Sequence, residues 1–306
     1  MPAKPLRLIV AINPSASFGK GRNVGPAVVS TLRGLGHQVT TLQEPNYIDL
    51  VASGRKAVAT RPDAFIVVGG DGMVNLGVNL VATTKVPLGI VPSGTGNDMA
   101  RGLGIPHENT EAAIEALVAA LARPARVIDA GLVHHTDPDT GRPKDTWFGC
   151  ALSAGFDAIV NERANSMEHP KGASRYIIAL LIELAKLKPI RYTITLDGHR
   201  QVTKAVLVAI GNNVSLGGGM KITPEAKVDD GLLDVLVVQP LSRTAFLRIF
   251  PRVFAGTHVT DSRVAIHRVK RVTIDAENLV AFADGERLGR LPIDVEVVPK
   301  VLRVLA

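Results

Sequence analysis

A chain of 306 residues with 46% hydrophobic and 21% charged residues is long enough for two domains with large cores. Its single cysteine, Cys150, excludes an internal disulfide and fits a reducing compartment, and no stretch reaches the roughly 18 uncharged apolar residues that span a bilayer. A net charge of +7 suits acidic metabolites or an anionic membrane, while a 4% aromatic content and the lack of a recognised motif make nucleic acid the weakest partner.

The apolar run near the N-terminus is too brief for a signal peptide and ends in Asn13-Pro14, so it reads as the first strand. Strands are predicted over 6–12, 37–43, 64–68 and 86–91, with helices over 23–35, 48–60, 73–83 and 109–122. Alternation of this kind implies a parallel sheet with right-handed crossovers. After Pro124 the texture changes to short strands broken by turn signals, among them Asp137-Pro-Asp-Thr-Gly141, Leu196-Asp-Gly198 and Ala283-Asp-Gly285. Such spacing predicts an antiparallel sheet or sandwich, with a domain boundary near Asp129 and helices over 174–188 and near 242–254. The expected division is 1–128 and 129–295.

The chemistry concentrates at two strand ends. Ala64-Phe-Ile-Val-Val68 is a continuous apolar run, as a strand buried on both faces should be, and it enters Gly69-Gly-Asp-Gly-Met73. Val86–Val91 repeats the pattern and enters Pro92-Ser-Gly-Thr-Gly-Asn-Asp-Met-Ala-Arg101. Glycine turns at the carboxyl ends of parallel strands bind phosphates. Two of them carrying Asp or Asn suggest a polyphosphate with a divalent cation. Asp71 would otherwise repel phosphate, so it should act through Mg²⁺ and water. Thr95 and Asn97 can donate to phosphate, and Asp98 reads as a helix cap. Gly19-Lys20 lacks the upstream Gly and following Ser or Thr of a Walker loop.

At these residues the chain resembles the diacylglycerol-kinase-type lipid kinases in their soluble bacterial form. That family's loops read Gly-Gly-Asp-Gly-Thr and Pro-x-Gly-Thr-x-Asn-Asp-x-Ala-Arg; both are here, with Met73 where Thr is usual. Ile12-Asn-Pro14, Gly217-Gly-Gly-Met220 through Asp229-Asp-Gly-Leu-Leu-Asp234, and Ala283-Asp-Gly-Glu286 follow in the family's order. The resemblance implies an α/β N-terminal domain of NAD kinase-like type with a parallel sheet, a mostly antiparallel β-sandwich C-terminal domain, residues 296–306 returning to the first domain, and a site in the cleft between the two.

It implies ATP and Mg²⁺ as cofactors. Asn13, Gly69, Gly70, Asp71, Gly72, Met73, Asn75, Ser93, Gly94, Thr95 and Asn97 would hold the nucleotide. Glu286, with Asp71, would be catalytic, accepting the proton of an alcohol. On spacing alone, Asp284-Gly-Glu286 is a hairpin turn with a solvated Glu. A structural Mg²⁺ would take the carbonyls of Lys227 and Leu232 and the side chain of Asp230, where the residues alone suggest a plain turn.

The implied reaction is phosphorylation of diacylglycerol to phosphatidic acid. A sphingoid-type or phosphatidylglycerol-type acceptor fits the same motifs. An NAD kinase would carry Asn-x-Gly-x-Leu-Gly-Phe as its second loop, and a non-catalytic nucleotide sensor would not need Glu286. The lipid is expected at an anionic membrane surface, the protein in the cytoplasm and peripheral at the inner membrane face, with a homodimer left open. Residues 243–271 carry seven Arg or Lys against Asp261, and Phe246, Phe250 and Phe254 recur at helical spacing, which suits a basic amphipathic face. Tyr176–Ile182 reads as a helix, either core or lipid gate.

Overall fold

The computed structural model describes residues 4–13, 23–167 and 173–306. Pro14 and Gly19-Lys20 lie outside them. The chain divides into two compact units, one of residues 1–130, 217–219 and 299–306, the other of residues 131–216 and 220–298.

In the first unit strands and helices alternate: β1 (Arg7–Ile12), α1 (Val24–Gly34), β2 (Gln38–Leu42), α2 (Tyr47–Ala59), β3 (Ala64–Gly69), α3 (Asp71–Val81), β4 (Leu88–Pro92), α4 (Asp98–Leu103) and α5 (Thr110–Leu121). β1 lies between β2 and β3, β3 pairs with β4, and all three pairings are parallel. The run Ala64–Gly69 is buried throughout because β3 is interior to the sheet, whereas β2, at the edge, is at most half-buried. Leu8, Val10, Ile66 and Val68 pack against Val28, Leu32, Ile114 and Leu117 of the helices. Side chains start two of these helices: Asn46 Oδ1 accepts the Asp49 N–H at 2.9 Å, and Asn109 Oδ1 accepts those of Glu111 and Ala112 at 2.9 and 3.1 Å.

The remaining elements are β5 (Arg126–Thr136), β6 (Pro143–Phe148), β7 (Ala151–Gly155), α6 (Phe156–Ser166), α7 (Ala173–Ala185), β8 (Ile190–Leu196), β9 (His199–Ala205), β10 (Leu207–Gly211), β11 (Leu233–Val238), α8 (Arg243–Ile249), α9 (Arg252–Ala255), β12 (Val264–Val269), β13 (Arg271–Asp275), β14 (Val280–Ala283), β15 (Glu286–Arg290) and β16 (Ile293–Leu305). β5 and β16 each begin in one unit and end in the other. The end of β16 joins the parallel sheet, with Val304 opposite Leu88.

The second unit is antiparallel. One sheet runs β12-β11-β10-β7-β14-β15; in the other, β8 lies between β9 and β13, and β13 pairs with β16. Leu152, Val208, Ile210 and Val235 of the six-stranded sheet pack with Tyr192, Ile194, Val272 and Val295 of the other, making the sandwich core. The alternate residues Ala209, Leu236 and Val238 face the opposite side and find a second apolar cluster there. That is why β10 and β11 read as continuous apolar runs although their sheet is antiparallel. The α/β-plus-sandwich architecture expected from the sequence is the one observed.

Three local differences stand out. The helix Phe156–Ser166 lies where none is predicted, and the helix for which Asp98 reads as the cap has Asp98 as its first residue and runs to Leu103. The span 242–254 is two helices, divided at Phe250 and Pro251, because proline lacks the N–H that a continuous helix would need. In the α7 run, Ala179 is fully buried beside Phe156 and Val160, while Ile178 is 38% exposed.

Candidate active site

β3 and β4 deliver their glycine loops side by side in the first unit. A Cβ on Gly94 would lie 2.4 Å from Gly70 Cα, so the two backbones touch and neither position tolerates a side chain. Ser93 N–H donates to Gly69 O at 2.9 Å. Asp71, the first residue of α3, completes the lock. Its Oδ2 accepts the Asn97 N–H at 3.0 Å and its Oδ1 the Asp98 N–H at 2.8 Å. The carboxylate of the first loop thus caps the helix that the second loop begins. Burial pushes the Asp71 carboxyl above the usual range, the Asp98 N–H bond opposes this, and the Asp98 charge adds to it.

Asn97 closes the second loop on itself. Its backbone is left-handed (φ 54°), its Oδ1 accepts the Gly94 N–H at 3.1 Å, and its Nδ2 donates to Gly94 O at 2.9 Å. The side chain predicted to donate to phosphate is therefore committed to the loop. Asp98 is not its own helix cap. Its two oxygens accept the N–H groups of Gly218 and Gly219, at 2.9 and 2.8 Å, tying the distant Gly217–Gly219 segment into this unit. Those two glycines have φ of 85° and 93°, a backbone that a side chain would strain.

The groups left facing outward are Gly94 and Thr95, both exposed, with Ser93, Gly70, Gly72 and Asn13 half-buried. An exposed hydroxyl and a glycine loop beside the N-terminus of α3 fit the phosphates of a nucleotide. Gly69 is buried. Met73 is 3% exposed, and its side chain fills the space over Gly69, where a Cβ would meet Met73 Cγ at 2.4 Å. Its N–H already donates to Gly70 O, so its predicted contact with a nucleotide is replaced by a packing role. Asn75 is also buried, its Oδ1 accepting from Asn79 at 3.3 Å. Among the described residues, no group of three or more His, Cys, Asp or Glu could hold a metal ion. A cation here would depend on the phosphates and water, with Asp71 beside it.

In the second unit, β14 and β15 form a hairpin closed by Asp284 (φ 47°) and Gly285 (φ 86°), the left-handed pair that a two-residue hairpin requires. Asp284 does more than turn. Its carboxylate accepts the N–H groups of Gly149, Cys150 and Ala151 at 2.7, 3.0 and 2.9 Å, pinning the hairpin to the start of β7. The signal was the residue type, since Asn would also turn the chain but could not accept three bonds as well. Glu286 opens β15, paired with Ala283. It is exposed, has no hydrogen-bond partner among the described residues, and loss of surrounding water pushes its carboxyl above the usual range. Next to it Arg287 pairs with Glu162 of α6 at 3.1 Å.

The Lys227–Leu232 turn, where the resemblance implies a cation, is closed by contacts of its own acid. Asp230 Oδ1 accepts the Leu232 N–H at 3.1 Å, and Oδ2 is bound by the Arg268 guanidinium, whose Nε lies 3.9 Å from Asp234. The charge beside Asp230 is thus balanced within the chain by Arg268.

The basic helical face is also rearranged. Phe246 and Phe250 stack at 5.5 Å and turn inward, and only Phe254, with Leu247, is strongly exposed. Arg252 is held by Thr257 O and Thr260 Oγ1, both at 2.6 Å. Arg243 and Arg248 remain exposed. No helix among the described residues is long and apolar enough to cross a membrane.

Comparison with known proteins places the family and the fold. Residues 7–130 match the diacylglycerol kinase catalytic domain, and residues 150–306 match the YegS C-terminal NAD kinase beta sandwich-like domain. The chain is 38% identical over 294 residues to a diacylglycerol kinase of Mycobacterium tuberculosis, covering 96% of this chain and 93% of that one. It is 27% identical over 247 residues to a diacylglycerol kinase of Bacillus subtilis, covering 80% and 78%. Among solved structures, a diacylglycerol kinase from Bacillus anthracis superposes with a TM-score of 0.70 over 99% of this chain and 97% of that one, at 22% identity. Yeast NADH kinase complexed with NADH superposes at 0.57 over 98% and 83%, at 12% identity, which speaks to the fold. These loops and this sandwich define a nucleotide-using kinase of the lipid-kinase class. The chain belongs to the diacylglycerol kinase family.

Proposed function

We propose that the protein transfers the γ-phosphoryl group of ATP, with Mg²⁺, to the free hydroxyl of diacylglycerol, giving phosphatidic acid. The observation that carries this reading is Glu286, an unpaired carboxyl with a raised pKa on a hairpin that Asp284 holds rigid. ATP and Mg²⁺ supply the transferable group and neutralise its charge. The exposed Thr95 and the Gly70–Gly72 and Ser93–Gly94 backbone bind the phosphates. Asp71 fixes the two loops in register before a nucleotide arrives, so their N–H groups need little reorganisation. Glu286 orients the acceptor hydroxyl and takes its proton, a contribution typically of about 10²–10⁴-fold.

The acceptor is met at a membrane surface. Arg243 and Arg248 face outward with Leu247 and Phe254, a cationic and apolar combination that suits anionic lipid at the inner membrane face. The test is an initial-rate assay of the purified protein with ATP and a panel of diacylglycerol, sphingosine, phosphatidylglycerol and NAD, titrated with Mg²⁺. Diacylglycerol should be the preferred acceptor, and no product should form with EDTA. A preference for NAD, or turnover without divalent cation, would overturn the reading.

A further inference from the structure

Glu286 and Arg287 stand side by side at the start of β15, both exposed. They are opposite in their pairing. The Glu286 carboxyl has no hydrogen-bond partner among the described residues, and loss of water raises it above the usual range. The Arg287 guanidinium is held on α6, where its Nε and Nη2 donate to Glu162 Oε1 at 3.2 and 3.1 Å.

The helix that carries Glu162 is fixed to the same hairpin. Ala158, four residues earlier and on the same face of α6, is fully buried with Val280 and Phe282 of β14. Arg163 of α6 is bound by Glu183 of α7, and Phe156 meets the Phe246 ring of α8 edge-on at 4.8 Å. Glu162 is therefore presented to Arg287 by a helix anchored on β14, α7 and α8.

An ion pair whose members are 42% and 49% exposed does little for stability. Its consequence lies in where it keeps a charge. A guanidinium one residue from an unpaired carboxylate is attracted to it when no other acid holds the cation. Such pairing would favour ionised Glu286, make it a poorer base and occupy an oxygen that must receive a proton. Among the described residues, the other charged groups around the hairpin offer Arg287 no substitute for Glu162. The Asp284 carboxylate accepts three N–H groups. Asp137, on the β5–β6 hairpin that Gly289 meets, is bound by Lys144 at 2.7 Å. Glu183 is taken by Arg163, and Asp157 accepts from the Ser153 hydroxyl and the Ala158 N–H. Arg290, further along β15, is a second cation.

We propose that Glu162 is a positioning residue for phosphoryl transfer: by holding Arg287 on α6, it keeps the guanidinium off Glu286 and leaves that carboxyl free for the acceptor's proton. The assignment deepens the proposed reaction and rests on that reading for its kinetic test; a titration of Glu286 does not need it. Kinetically, Glu162→Gln, Arg287→Gln and the double variant are assayed across pH with ATP, Mg²⁺ and diacylglycerol in detergent micelles. Glu162→Gln should lower kcat about three- to tenfold with the KM for ATP unchanged, and should move the acid limb of kcat down by about one pH unit. Removing the freed cation should undo the damage, so Arg287→Gln and the double variant should both show wild-type kcat and acid limb. A Glu162→Gln variant with wild-type kinetics, or a loss that persists in the double variant, would overturn the assignment. Persistence is what a merely structural role for Glu162 on α6 would give.

For the titration, the side-chain carboxyl of Glu286 is followed by ¹³C NMR against pH in the unmodified protein and the three variants, with Glu286→Gln identifying its signal. The midpoint should fall by about one unit in Glu162→Gln alone. An unchanged midpoint overturns the inference whatever the kinase assays give. A fall that the double variant reverses, with no phosphorylation of any lipid, would instead sink the proposed reaction and leave the hold of Glu162 on Arg287 standing.

Discussion

Asp71 and Glu286 occupy similar places in their motifs, each following a glycine at the end of a buried strand, yet their carboxylates are in opposite circumstances. Asp71 has both oxygens on backbone N–H groups of the other loop. Glu286 has none. Asp284, two residues earlier, resembles Asp71 and holds three N–H groups. The contrast separates carboxylates that build the scaffold from the one left free to act on a proton. Scaffold acids accept from the backbone and tolerate no loss of charge. An acid that works on a substrate must be unpaired, and a raised pKa makes it a better base.

The largest expected effect tests the free member. Glu286→Gln should cut turnover by about 10²–10⁴-fold while leaving nucleotide affinity and the melting temperature nearly unchanged. Because Glu286 must be ionised to accept a proton and its pKa is raised, wild-type turnover should fall as pH drops through a value above the ordinary Glu pKa of about 4.3. The Gln variant should lose that limb. A Gln variant with wild-type turnover, or an unchanged acid limb, would remove Glu286 from the chemistry.

Next in size is a scaffold acid. Asp284→Ala leaves three buried N–H groups without their acceptor, each costing about 1–3 kcal/mol, so unfolding free energy should fall by at least about 3 kcal/mol. Turnover should fall with it, because Glu286 rides on the same hairpin. Urea titration and initial rates measure both. If Asp284→Ala lost turnover but no stability, Asp284 would belong with Glu286 and the contrast would collapse.

The sequence carried the strand runs, the parallel and antiparallel halves and the two glycine loops, because apolar periodicity and turn chemistry are local signals. It did not carry what the loop acids do. Asp98 reaches Gly218 and Gly219 across 120 residues, and Asp284 reaches Gly149 across 135. Nothing in a short window distinguishes such an acid from a cap or a solvated turn. Met73 is a related case. Its motif position suggests a ligand contact, but the third residue of α3 points at Gly69, where only a missing Cβ makes room. Phe246 and Phe250 read as a surface stripe because the cluster of Ala209, Leu236 and Val238 behind them is contributed by strands in other parts of the chain.

A smaller effect probes the exposed cations. Arg243→Gln with Arg248→Gln should weaken binding to anionic vesicles by about 2 kcal/mol, roughly 1 kcal/mol per residue, and added salt should reduce wild-type binding in parallel. Arg252→Gln should instead lower stability, since its guanidinium holds Thr257 and Thr260. Sedimentation with vesicles of phosphatidylglycerol against phosphatidylcholine separates these outcomes. Equal binding to both lipids would deny this face a membrane role.

The smallest effect concerns Asp230, which falls with Asp71 and Asp284 in having both oxygens engaged, but with a guanidinium as one partner. Arg268 is nearly half exposed and Asp230 partly so, and such pairs contribute no more than about 1 kcal/mol after solvent screening. Arg268→Gln should therefore cost at most about that much. The informative measurement is the cation dependence of melting. A ligand that binds only the folded state raises its stability, so a resident Mg²⁺ would make the wild-type melting temperature fall in EDTA. With Arg268 supplying the charge, EDTA and millimolar Mg²⁺ should leave it unchanged. In Arg268→Gln the turn acids lose their internal cation, and Mg²⁺ should then raise the melting temperature. A wild-type protein that loses stability in EDTA would mean that Asp230 is a metal ligand in solution and that its pairing with Arg268 gives way to the ion.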